Sequence, residues 1–224
     1  MDYTVVDVIG HALPLAVGVA LSPFPLISVV LLLMSPQGRA AGATFLVGRI
    51  LGLAVMLAII IAASELLYSA ANGTGIPTVI KLLIGVALIV LGLSKWRPKP
   101  AGTEPKLPGW MSAIDGFSPA RAFGLGLLLS ITNPKELALA IPLGVTIGGA
   151  LLAPGETVLV GAIFVLVASI SIAVPVIALA IAPTRMRPAL DRLRAWLTQN
   201  HSVVMGVLLI VIGAVVAGGA IADF

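Results

Sequence analysis

Ile131-Thr132-Asn133-Pro134-Lys135-Glu136 is the stretch on which the fold turns. It sets a helix breaker, a side-chain amide and two opposite charges between apolar segments long enough to fill the middle of a bilayer. Pro134 has no N–H to give and its ring collides with the preceding turn, so a helix is kinked or broken there. An ionisable residue at such depth is costly and by default marks a function. Leu21-Ser22-Pro23-Phe24-Pro25-Leu26 is a second, uncharged break earlier in the chain.

The composition fits that reading. Of 224 residues, 59% are hydrophobic and 10% charged, against about 25% charged in an ordinary soluble domain. Gly (24) and Pro (16) are plentiful, as in membrane helices, where small surfaces and broken turns are useful. With no cysteine, disulfides, thiolate metal sites and thiol redox chemistry are excluded. The net charge of +4 does not point to nucleic acid, because the basic residues lie in short stretches between apolar spans. The positive-inside rule produces that placement without any ligand. The N-terminus carries Asp2 and Asp7 and no basic n-region, so the first apolar stretch reads as a retained helix.

A helix needs about 20 apolar residues to cross the hydrocarbon core. Six spans meet that requirement, at about 5–34, 41–69, 77–94, 122–152, 157–182 and 202–221. The first and fourth are over-long and are broken near the midplane, at Ser22–Pro25 and at Asn133-Pro134. Ten of the thirteen Lys and Arg residues fall in the connections after spans one, three and five. By the charge bias both termini face away from the cytoplasm. The longest linker, about 96–120, is basic and carries Trp96 and Trp110 as interfacial anchors. Residues 183–200 read as a basic amphipathic segment on the membrane surface.

The two halves resemble one another. In each, a break in the first span is followed by a second span that opens alike, Thr44-Phe45-Leu46-Val47-Gly48-Arg49 and Thr157-Val158-Leu159-Val160-Gly161-Ala162. A unit with three spans inserts its second copy upside down, which makes 1–95 and 121–224 inverted three-helix repeats joined by the linker. Paired broken helices in inverted repeats point to a transporter's midplane site.

The candidate substrate-binding residues are therefore Ser22, Pro23, Pro25, Arg49, Asn133, Pro134, Lys135 and Glu136. Lys135, in the first turn after the break, is the better contact for an anionic group. Glu136 is a candidate to bind a proton or cation, or to neutralise Arg49 across the interface. Lys135 and Glu136, being adjacent, project about 100° apart on a helix and do not pair directly. Asn133 is placed to satisfy a carbonyl freed near Leu129 or Ser130. The plain alternatives are a kink absorbed by neighbouring helices and an Arg49 that snorkels to the surface. Glu65 and Lys81 sit near span ends, where exposure is expected. His11 and His201 lack partners at metal-ligand spacing. No nucleophile elbow, phosphate loop, zinc motif or dinucleotide fingerprint is present, so no enzyme, metal or cofactor is expected. Gly206, Gly213 and Gly218-Gly219 read as helix-packing surfaces.

Ser22-Pro23-Phe24-Pro25-Leu26-Ile27, Phe45-Leu46-Val47-Gly48 and Asn133-Pro134-Lys135 resemble the glycolipid-addressing protein (GAP or Sap) family of the lysine exporter (LysE) superfamily. The resemblance covers nearly the whole chain. It implies a six-span protein of the cytoplasmic membrane that moves glycolipids or peptidoglycolipids toward the cell envelope; superfamily relatives export amino acids or metal ions. The expected function is an exporter or flippase for an amphipathic lipid with an anionic head group, working by alternating access, with proton or ion coupling. A small-solute exporter and a non-transporting scaffold for envelope-lipid assembly are the alternatives. Membrane lipids and a homodimer partner are the expected associations.

Overall fold

The computed structural model describes residues 4–70, 78–95, 116–150 and 152–183, together with single positions between 186 and 218. Among the described residues all regular structure is helical. The helices are α1 (Val5–Ala20), α2 (Pro23–Met34), α3 (Gly38–Ala70), α4 (Thr78–Lys95), α5 (Pro119–Thr132), α6 (Pro134–Gly149) and α7 (Pro154–Ile181). The linker 96–115, Trp96, Trp110, His201, the side chains of Glu65 and Lys81, and most of the last expected span lie outside the described residues.

Both expected breaks are present. The first over-long span is the pair α1 and α2, bent by 51° across Leu21-Ser22. Thr4 and Asp7 start α1 with a capping box, and proline at the first position starts α2, where its missing N–H is no loss. The second over-long span divides at Asn133 into α5 and α6, again with proline opening the second piece. Two helical stretches, Gly38–Ser64 of α3 and the whole of α7, are long and apolar enough to cross a membrane. Counted as one span, the bent α1–α2 pair makes a third.

Packing sets α3 against the broken pair α5–α6, most extensively along α5, and α7 against the broken pair α1–α2. The α3–α5 crossing is close enough to need glycine. A Cβ on Gly48 would lie 2.1 Å from the Phe123 carbonyl oxygen, and one on Gly126 would lie 2.3 Å from that of Phe45. This is the small-residue contact by which membrane helices approach without a hydrophobic drive between them. Gly161, the repeat counterpart of Gly48, meets only the Leu57 side chain at an ordinary 3.7 Å. Close glycine contacts also join α4 to the last span, where Gly85 faces Ala217 and Gly213 faces Gly85 and Ile89. The expected packing role of Gly213 is observed; Gly218 meets nothing within 4 Å.

The apolar interior falls into two clusters. One gathers α1 with Leu53, Met56 and Leu57 of α3, Leu139 to Ile147 of α6, and Val160 to Ala168 of α7. The other gathers α2 with Ala41 and Phe45 of α3, Ala122 of α5, and Ile172 to Leu179 of α7. Along every helix that contributes to both, the change of cluster falls at a polar residue: Arg49 on α3, and Ser169 and Ser171 on α7. The two breaks fall at the same level. The described core is thus two apolar layers with a polar layer between them.

Candidate functional site

The polar layer is built from helix ends. At the first break Pro23 has no N–H for the Val19 carbonyl, and the Ser22 N–H turns to that carbonyl at 3.1 Å instead of to Gly18. Three consecutive carbonyls at the end of α1 then receive side-chain donors from three different helices. Lys135 Nζ of α6 donates to the Gly18 oxygen at 2.9 Å. Arg49 Nη2 of α3 reaches the Val19 oxygen at 3.5 Å. Ser171 of α7 donates its hydroxyl to the Ala20 oxygen. Two cations therefore sit at the negative end of α1, where the helix dipole favours them.

The second break carries the complementary charge. Asn133 ends α5 and caps α6, its Oδ1 accepting from the Lys135 N–H at 3.1 Å. Its Nδ2 donates to Glu136 Oε1 at 3.4 Å rather than to the carbonyls one turn earlier. Ser130 Oγ instead donates to the Gly126 carbonyl at 3.0 Å. Glu136 lies in the first turn of α6, the positive end, where a carboxylate is stabilised.

Arg49 and Glu136 pair. Arg49 Nη1 lies 3.0 Å from Oε1 and 3.3 Å from Oε2. Their side chains are 1% and 0% exposed, so Arg49 does not snorkel. It stands eleven residues from the start of α3, roughly 16 Å along the axis at 1.5 Å per residue, about half a hydrocarbon core of ~30 Å. Lys135 is also buried, within electrostatic reach of both members of this pair, with Ser22 Oγ as its second acceptor at 3.2 Å. Its hydrogen-bond acceptors are thus a carbonyl and a hydroxyl, both uncharged.

Of the eight expected site residues, Ser22, Arg49, Asn133, Lys135 and Glu136 come together. Pro23 and Pro25 are buried beside them and act by freeing and shaping backbone. Pro134 is exposed and makes the break without entering the cluster.

A protein-family model described as Sap, sulfolipid-1-addressing protein, matches residues 12–222. The chain belongs to that family. No curated protein and no solved structure matches it.

This Sap-family chain is a membrane protein by its apolar helices, and its polar layer contains groups that sequence did not single out. Ser171 carries no pattern that separates it from any serine in an apolar helix, and the carbonyls of Gly18 to Ala20 belong to the backbone. Arg49 Nε and Ser169 Oγ are buried in the same layer without a hydrogen-bond partner among the described residues. An open cleft lies elsewhere. It holds about 470 Å³ at the α2–α3 turn, between Ser35 to Ala40 and Leu179 to Pro183.

Proposed function

We propose that this Sap-family protein is a transporter of the lysine exporter superfamily that moves a lipid with an anionic head group across the cytoplasmic membrane. The observation that carries the reading is Lys135. Two positive side chains and one negative one share the buried layer, and the negative one is taken by Arg49. Lys135 is left as a buried cation whose partners are neutral. A buried cation whose neighbouring carboxylate is already paired with Arg49 is held at a cost, and an anionic head group would supply a counter-ion of its own. The unpartnered Arg49 Nε offers a further donor in the same layer. The family description, sulfolipid-1-addressing, is that of a protein serving a sulfated, hence anionic, lipid.

In this reading the chain forms six spans in two inverted repeats, with both termini outside the cytoplasm. The exchange of packing partners between α3 and α7 supports the repeat, since each crosses the other half's broken span. The conformation described is an occluded one, and alternating access rocks the halves about the two breaks. Glu136 is the candidate to take up a coupling proton. The protein acts without catalysis or cofactor, on membrane lipids, and a homodimer is compatible with its glycine-bearing faces.

A close-packed interior is also what the scaffold reading expects. That reading, however, has Lys135 and Glu136 neutralising each other, whereas Glu136 is engaged by Arg49. The test is transport of labelled anionic lipid in proteoliposomes. Wild type is expected to move the lipid, and Lys135→Ala and Asn133→Ala to lose most of that activity. Full transport by both variants would refute the site.

A further inference from the structure

The Lys135 ammonium lies at the C-terminal end of α1. The acceptors at the end of α1 are the oxygens of Gly18, Val19 and Ala20, with Ser22 Oγ beside them. Backbone carbonyls at the C-terminus of a half-helix, joined by a hydroxyl, are the ligand set by which membrane proteins hold a monovalent cation. They combine the negative end of the dipole with oxygen ligands that carry no full charge. Here the positions are taken by cations the chain supplies itself, the Lys135 ammonium at 2.9 and 3.2 Å and the Arg49 guanidinium at 3.5 Å.

The two cations differ in their freedom to leave. Arg49 is tied to Glu136 by both carboxylate oxygens. Lys135 is tied only to neutral acceptors, on a flexible four-carbon stem. We propose that the end of α1 is a seat for a small monovalent cation, and that the Lys135 ammonium occupies it as a tethered stand-in. When an anionic group draws Lys135 away, a sodium, potassium or ammonium ion takes the Gly18 and Ser22 oxygens. This second half rests on the reading of Lys135 as the head-group contact. The seat itself does not.

Charge supports the coupling. The resting layer holds Arg49, Lys135 and Glu136, a net charge of +1. One anion would bring it to zero while leaving the α1 carbonyls without their cation. One entering monovalent cation restores both the charge and the missing partner. Anion and cation would then cross together, electroneutrally, and binding of each would strengthen the other by the same factor.

The experiment uses the full chain in an uncharged detergent, with sodium, ammonium or choline chloride at one ionic strength. Choline is the cation too large for the seat. Without lipid, wild type is expected to melt at the same temperature in all three salts, because Lys135 fills the seat. Lys135→Ala is expected to melt lower in choline and to recover saturably with ammonium or sodium. Adding Ser22→Ala should abolish the recovery. If Lys135→Ala melts alike in all three salts, water has replaced the ammonium and the seat is refuted. A second measurement needs no variant: binding of dihexanoyl-phosphatidylglycerol to wild type. It is expected to be about tenfold tighter in sodium than in choline, within the usual range of coupling between sites. Equal affinity in the two salts overturns the coupling alone. No binding in either overturns the head-group reading, and the melting of Lys135→Ala then decides the seat independently.

Discussion

Glu136→Gln is expected to destabilise the protein more than Arg49→Gln, although each removes half of the same ion pair. Removing Glu136 raises the buried layer from a net charge of +1 to +2 and leaves Arg49 facing a neutral amide. Removing Arg49 takes the layer to zero. Glu136 then keeps the Asn133 donor at 3.4 Å and has the ammonium of its neighbour Lys135 on the same turn. Breaking a buried pair from one side costs about 3–5 kcal/mol, and this asymmetry places Arg49→Gln near the lower value and Glu136→Gln near the upper. In a protein of this size each kcal/mol moves the midpoint by about 2–4 °C. Glu136→Gln should therefore melt roughly 10–20 °C below wild type and Arg49→Gln roughly 6–12 °C below. The double variant Arg49→Met with Glu136→Leu removes both charges. It should return to within about 1 kcal/mol of wild type, as apolar replacements of buried pairs commonly do. Thermal unfolding in an uncharged detergent, followed by circular dichroism, reads all three. Singles within about 1 kcal/mol of wild type would show that the pair is not buried. A double variant no better than Glu136→Gln would show that the pair is not a local unit.

Further outcomes follow from the packing. Gly48→Val and Gly126→Val should prevent a well-folded protein, because the added carbons meet Phe123 and Phe45 backbone; Gly124→Ala, with nothing within 4 Å, should purify and melt like wild type. Ser171→Ala removes the donor to the Ala20 carbonyl and should lower stability by about 1 kcal/mol, the usual net worth of a hydrogen bond. Asn133→Ala should cost about 1 kcal/mol as a lost helix cap, read as a shift in melting midpoint. The chain has no cysteine, so single cysteines report topology cleanly. Gln37→Cys should be labelled by an impermeant maleimide only from the cytoplasmic side, and Glu156→Cys only from the other.

The breaks were legible in sequence because their causes are local. Proline without an N–H and asparagine as a cap act within one turn, so Ser22–Pro25 and Asn133-Pro134 divide the helices where the residues say. The pairing of Arg49 with Glu136 was one of two readings, the other being snorkelling. Depth decides between them, and depth depends on where α3 begins, at Gly38 rather than Ala41. The acceptors of Lys135 were not legible. They are carbonyls, present at every residue, and only the geometry of the bend exposes those of Gly18 to Ala20. Gly48 and Gly52, at a spacing of four, carry in sequence the same small-residue signal as the denser glycines near the C-terminus. Gly48 and Gly161 match in the sequence but pack differently. One glycine makes a backbone crossing, and the other does not.

Head-group discrimination tests the central claim most directly. In proteoliposomes carrying a fluorescent phosphatidylglycerol or the matching phosphatidylcholine, the ratio of their translocation rates isolates the effect of one negative charge. Wild type should favour the anionic lipid by about tenfold or more, the factor for 1.4 kcal/mol, and Lys135→Gln should bring the ratio to about one. A ratio that stays high in Lys135→Gln, or that is already one in wild type, would contradict the assignment of Lys135 as the buried cation awaiting an anion.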